Sequence, residues 1–234
     1  MVAGNGNEQG PAILLDVSGA EDRRFSPYCW RAKLALAHKG VEFRTVPLTY
    51  TDIQALPDAV KAVPILEHGG ARISDSFRIA EYLENLPGPS LFPGGIAAAR
   101  FMEGYVNMAI NPLIMRMIVL DVLAGLDPVD HDYFRESRTK RFGAPLEEIV
   151  ATRGDTLPAF RKALAPVRHA LANGPWLSGE APAYPDYVLA GTLMWARVAS
   201  PLELLEPGDT VAGWFGRVLD LFDGFGRTAA KAAA

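Results

Sequence analysis

The sequence predicts a small α/β layer followed by an all-helical domain, and three observations carry that prediction. Over the first third of the 234 residues, strand-like alternation and helix-like spacing of apolar residues take turns. The run Pro87-Gly-Pro-Ser-Leu-Phe-Pro-Gly-Gly95 then breaks the pattern. Beyond it, the apolar residues recur only at helical spacing. With 49% apolar residues, 21% charged residues and a net charge of −4, the composition is that of an ordinary globular chain. No basic stripe suggests a nucleic-acid partner. No apolar run approaches the ~18 residues that span a bilayer, so no membrane partner is expected. Residues 1–10 lack the basic and apolar regions of a signal peptide and read as a loose tail, as do residues 228–234.

Ala12–Val17 reads as a short buried strand. The helix Pro27–Lys39 follows, with Ser26 as N-cap, Pro27 at the first helical position and Gly40 as its stop. Val41–Val46 alternates as a second strand, and Tyr50–Lys61 reads as irregular helix. Val63–Glu67, Gly69-Gly70 and Ala71–Ser74 make a hairpin, and Asp75–Leu86 a helix with Ile79, Tyr82, Leu83 and Leu86 on one stripe. The order βαβαββα is that of a thioredoxin-type layer. After the break, Ile96–Leu123 is a long apolar helix that Pro112 should kink. Asp130–Phe142 reads as a charged, exposed helix. Leu157 to Leu171 forms another, bent at Pro166; Asp186–Ser200 is the buried central helix; Val211–Phe222 is amphipathic and closed by Gly224 and Gly226.

The chemistry gathers at three loops of the first layer. Cys-Pro-Tyr-Cys at a strand-to-helix junction would be a thiol–disulfide site, but here the segment is Ser26-Pro27-Tyr28-Cys29. The helix N-terminus remains suited to a thiolate, while the protein's own nucleophilic sulfur is replaced by a hydroxyl. Such a site should use another molecule's thiol, and glutathione is the candidate. A serine here also caps the helix, so both roles are open. Cys29, the only cysteine, reads as a small buried apolar residue with no disulfide partner. Val63-Pro64 precedes a strand; if the bond is cis, the Val63 main chain can pair with an extended peptide. Asp75-Ser76 opens a helix where N–H groups and a hydroxyl suit a carboxylate and Asp75 suits an ammonium, or where Asp75 simply caps. A single cysteine excludes cysteine-type zinc sites, and His38, His68, His131 and His169 lack ligand spacing, so no metal is expected.

Phe25–Leu36, Val63–Leu66 and Ser74–Leu83 together resemble the N-terminal domain of the cytosolic glutathione transferases, most closely the bacterial etherase-like ones. Asp130–Arg138, Asp186-Tyr187 and Asp220–Arg227 extend the resemblance to about Ile13–Arg227. It implies a thioredoxin-like glutathione-binding domain over residues 11–87, a linker at 88–95 and an all-helical domain over 96–227. It also implies a cytoplasmic homodimer whose substrates are glutathione and a small hydrophobic electrophile. Ser26 would orient the thiolate, Val63 and a cis Pro64 the cysteinyl backbone, and Asp75 and Ser76 the γ-glutamyl group. The electrophile, an aromatic compound or a β-aryl ether, would sit between the domains against Phe25, Tyr28, Tyr105, Met108, Met115, Arg116 and Trp195. Relatives often carry Ser or Thr three residues before Asp186; this chain has Ala183, so the reciprocal capping pair is incomplete. The alternatives are a non-catalytic binding module of the same fold and a thiol–disulfide oxidoreductase.

Overall fold

The computed structural model of the protein describes residues 11–57 and 62–232. β1 (Ala12–Val17), β2 (Phe43–Leu48), β3 (Ile65–His68) and β4 (Ala71–Ser74) form one sheet in the order β2-β1-β3-β4. β1 runs parallel to β2 and antiparallel to β3, with Leu14 opposite Thr45 on one side and Leu66 on the other. β2 starts and ends two residues later than the alternation suggests, and Pro47 lies inside it. The strand is at the sheet edge, where a residue without an N–H forfeits no ladder bond. α1 (Pro27–His38) and α3 (Ser76–Glu84) pack side by side. α2 (Tyr50–Ala55) begins at a Thr49/Asp52 capping box and stops short of the expected Lys61, because Leu56 is already extended; residues 58–61 lie outside the described residues.

The helical domain begins with α4 (Ile96–Tyr105), which passes through a π-helical turn (Val106–Ile110) into α5 (Asn111–Ala124). The wide turn places Pro112 in the first turn of α5, where its missing N–H is least costly, instead of the simple kink predicted. By length and composition Ile96–Ala124 could cross a membrane, with 29 residues and an apolar window of mean hydropathy 1.6. This corrects the reading that no segment qualifies: the scattered charges of Arg100, Glu103 and Arg116 still leave such a window. In the fold, Val106, Ile110, Ile114, Met117 and Ile118 of this stretch lie in the core.

α6 (His131–Phe142) is followed by α7 (Leu146–Ala151), which the apolar spacing did not reveal. The bent helix expected through Leu157 and Leu171 is two helices, α8 (Arg153–Ala163) and α9 (Ala165–Leu171), with Pro166 in the first turn of the second. α10 (Tyr184–Ala199) is buried along nearly all its length. α11 (Thr210–Gly224) leaves helical geometry at residues 221–223, so Phe225 turns back onto Trp30 and Phe43, with ring centroids 5.8 and 6.1 Å away. Residues 228–232 are anchored, contrary to a loose tail: Arg197 donates to the Ala229 carbonyl at 2.7 Å, and Ala232 N–H donates to the Arg197 carbonyl at 3.0 Å.

Two features join the layers. Asp186 is fully buried and accepts from the N–H groups of Leu177, Ser178 and Ala183 and from Trp214 Nε1, at 2.8 to 3.2 Å. Ala183 offers no side-chain oxygen in return, so the aspartate alone ties the preceding loop and α11 to α10. Gly191 meets α1: an added Cβ would stand 2.4 Å from the Pro27 carbonyl oxygen and 2.9 Å from Arg31 Cγ. The two helices therefore approach as closely as backbone allows.

Asp186→Ala strands several buried donors and is expected to lower stability by about 3 kcal/mol or more, read from urea unfolding. Gly191→Ala should cost about 1–3 kcal/mol in the same assay, through overpacking against Pro27. An unchanged unfolding midpoint in either variant would contradict the packing described.

Candidate active site

Ser26 stands at the N-terminus of α1, six per cent exposed, on the wall of a cleft of about 340 Å³ between the two domains. Its Oγ accepts the Cys29 N–H at 3.4 Å. An accepting hydroxyl keeps its proton free to donate, so capping and donation to a thiolate coexist. The turn ahead of it is pinned by Trp30 Nε1, which donates to the Arg24 carbonyl at 2.8 Å. Cys29 has no exposed surface. Burial, reinforced by the nearby Asp16 carboxylate, pushes its thiol well above the usual range, so it stays protonated and inert.

The Val63–Pro64 bond is cis, and Val63 lines the same cleft as Ser26. Among the described residues no hydrogen bond uses the Val63 main chain. The Pro64 carbonyl accepts the Asp75 N–H at 3.1 Å, tying this loop to the start of α3. Asp75 holds a left-handed backbone (φ 85°) and caps α3 by accepting from Phe77 N and Arg78 N at 2.9 and 3.0 Å. A non-glycine residue in that region is uncommon and is associated with functional loops. Beside it, the Ser76 hydroxyl is buried and makes no hydrogen bond. The three loops singled out in the sequence thus form one connected rim that carries two serine hydroxyls, neither donating a hydrogen bond of ordinary length among the described residues.

Of the residues expected to face the second substrate, Phe25, Tyr28, Met115 and Trp195 line the cleft. Tyr105, Met108 and Arg116 do not. Tyr105 donates its hydroxyl to the Ala163 carbonyl on the far side of the helix, and Met108 is 83% exposed on the surface. Arg116 follows Met115 in α5 and so points about 100° away from it; for Tyr105 and Met108 the π-helical turn is the reason. It inserts a residue into the helical register, which rotates what precedes it by about 100° relative to α5, so a continuous helical wheel through 105–116 fails.

Other cleft residues escaped the pattern reading. α6 turns Phe134, Arg138 and Arg141 inward at i, i+4 and i+7, a spacing visible in the sequence but masked by the helix's charge. Tyr50 joins them because fully buried Asp130, just before α6, accepts from Tyr50 N, Thr51 N and Thr51 Oγ1 at 2.7 to 2.8 Å. Burial raises the Tyr50 phenol above its usual range, and the Arg138 guanidinium opposes that rise. Asn111 is held by Thr192 Oγ1, which donates to Asn111 Oδ1 at 2.8 Å. Asn107 in turn accepts from Asn111 Nδ2 at 3.1 Å and from Arg31 at 2.9 Å.

Residues 22–90 match the family model described as glutathione S-transferase, N-terminal domain, and residues 97–225 that described as glutathione S-transferase, C-terminal domain. A glutathione S-transferase-like protein of Aspergillus flavus is 25% identical over 229 residues, covering 81% of each chain. The maleylacetoacetate isomerase of Mus musculus is 32% identical over a shorter stretch, 36% of this chain and 44% of its own. A crystal structure of a glutathione transferase from Phanerochaete chrysosporium superposes with a TM-score of 0.79 at 27% identity, over 92% of this chain and 97% of that one. A glutathione S-transferase of Ceriporiopsis subvermispora, solved in complex with glutathione, shares the fold with a TM-score of 0.78 at 22% identity, over 92% and 99% of the two chains. With both halves of the fold matched by family models and the serine, cis-proline and Asp-Ser loops on one rim, the chain belongs to the glutathione S-transferase family.

Proposed function

We propose that the protein is a serine-type glutathione transferase acting on an aromatic electrophile, with β-aryl ethers among its acceptors. The observation that carries this reading is the Ser26 hydroxyl, which accepts a backbone N–H while its proton remains available at a cleft walled by aromatic side chains. A thiol such as that of glutathione has a pKa near about 8.5, and each unit of depression represents about 1.4 kcal/mol of preference for the anion. The Ser26 O–H and the positive end of α1 supply that preference. The free main chain of Val63 suits the cysteinyl amide groups, as an added strand would use it. Ser76 and the N–H groups opening α3 suit the γ-glutamyl carboxylate, with Asp75 facing its ammonium.

In the reaction, the thiol proton leaves to solvent, the sulfur lone pair forms a C–S bond to the acceptor carbon, and the leaving group departs with its bonding electrons. For an aryl ether that group is a phenolate. The protein contributes orientation and thiolate stabilisation. A homodimer in the cytoplasm, where glutathione is held reduced, fits this reading.

A turnover screen with glutathione, a model aryl ether and a chlorinated nitrobenzene tests it: phenol release or conjugate formation is expected, and failure of glutathione to bind would overturn it. Ser26→Ala should lower kcat/KM about 10²-fold and raise the bound-thiol pKa, followed by ultraviolet thiolate absorbance. Cys29→Ala should retain turnover within about threefold; disulfide-reductase activity dependent on Cys29 would favour an oxidoreductase instead. Ser76→Ala should raise KM for glutathione about tenfold with little change in melting temperature, because that hydroxyl makes no hydrogen bond of ordinary length and only neighbours the buried Tyr184 phenol. A lowered melting temperature with unaltered KM would assign Ser76 a structural role.

A further inference from the structure

The cleft beside Ser26 carries a net charge of one sign. Among the described residues its only charged lining side chains are Arg138 and Arg141, and no described Asp or Glu lines it. Among the described residues neither arginine has a carboxylate within 4 Å, whereas Arg135, on the same helix, pairs with Glu147 at 2.8 Å. Asp130, which raises the Tyr50 phenol from nearby, has both oxygens engaged by the start of α2. Arg138 is partly buried, and its Nε is buried without a hydrogen-bond partner. Its guanidinium carbon stands 4.5 Å from the Phe134 ring centroid and 5.7 Å from that of Tyr50. One of its in-plane donors is used within α6, Arg138 Nη1 to Ser137 Oγ at 2.9 Å, and the aromatic faces leave the Nε without a partner. A buried N–H without a partner is costly, and such groups in native structures mark sites completed by something else.

Resting on the transferase reading above, we propose that the acceptor is an anionic aromatic compound, whose carboxylate or sulfonate is received by Arg138 and Arg141 while its ring lies against Phe25, Tyr28 and Trp195. A planar, forked donor is suited to such an anion, and among the described lining residues no carboxylate competes for it. The glycyl end of glutathione carries a carboxylate of the same chemistry. The acceptor is favoured because Arg138 sits among Phe134 and Tyr50, aromatic groups of the acceptor cleft.

Two matched pairs of probes test this. For binding, anilinonaphthalene sulfonate is compared with its uncharged parent phenylnaphthylamine by fluorescence titration. The sulfonate should bind about tenfold or more tightly than the parent, with a preference that fades as salt is raised. That preference should collapse in Arg138→Met/Arg141→Met and survive in the doubly lysine-substituted protein, which keeps charge and fold. For turnover, a chloronitrobenzoate is compared with its methyl ester at saturating glutathione. The ratio of their kcat/KM values should fall about tenfold in the methionine variant. An unchanged sulfonate preference in that variant overturns the proposal. So does an equal loss for both acceptors accompanied by a raised KM for glutathione, which would assign the arginines to the glycyl carboxylate. Retained sulfonate preference with no turnover of either acceptor would remove the transferase reading and leave the anion-binding cleft standing.

Discussion

The close approach of α1 to α10 is the constraint on which the rest of the structure depends. Gly191 lets the backbone of α10 meet the Pro27 carbonyl at a distance no side chain would allow. Pro27 follows Ser26 directly, so this contact fixes the Ser26 hydroxyl relative to the helical domain. Arg31, one turn further along and without solvent exposure, reaches across the seam to the Val188 carbonyl, Asn107 and Thr192 at 3.2, 2.9 and 3.4 Å. A buried guanidinium is tolerable only when such acceptors are in place, which makes the register of the two domains nearly all-or-none. Burial lowers the Arg31 pKa, and the neighbouring tyrosines, Glu103 and Asp75 oppose that shift.

The same seam builds the cleft. Thr192, which accepts from Arg31, also holds Asn111 in the cleft wall, and Asn111 opens α5 immediately before Pro112. The proline, the π-helical turn and the buried polar chain are therefore one arrangement: the turn accommodates the proline, and the rotation that results brings Met115 to the cleft while sending Met108 to the surface. On the opposite wall, Asp130 reaches from the helical domain to cap α2 and thereby sets Tyr50 beside Arg138. One wall is set by Asp130 of the other domain, and the other by a polar chain that Arg31 of the first domain joins, so the cleft depends on the docking of the two domains.

Two buried aspartates carry much of the polar scaffold: Asp186 uses both oxygens, and Asp130 likewise. At the candidate site the Ser76 hydroxyl and Arg138 Nε are buried without a partner, and so are Asp16 Oδ1, Arg31 Nη1 and Tyr184 Oη elsewhere in the fold. An unpartnered buried group therefore marks a ligand position only where it also faces the cleft or its rim.

Legible in the sequence alone were the α/β-then-helical order, the helix starts at Ser26 and Asp75, the burial of Cys29 and the three loops that share one rim. These features are local: caps, alternating strands and proline positions act over a few residues and are legible as short patterns. Asp186 was legible as a capping aspartate, but its hold on Trp214 was not, because that partner lies 28 residues away. Which residues line the cleft between the domains was set by the tertiary packing. A π-helical turn shifts register without a composition signature, so helical spacing assigned Tyr105 and Met108 to the wrong side. A charged helix looks solvent-facing until its neighbours show that Phe134, Arg138 and Arg141 face inward. Which side chains share a cleft depends on how two domains dock, and here that docking rests on a glycine and a buried arginine far apart in the chain.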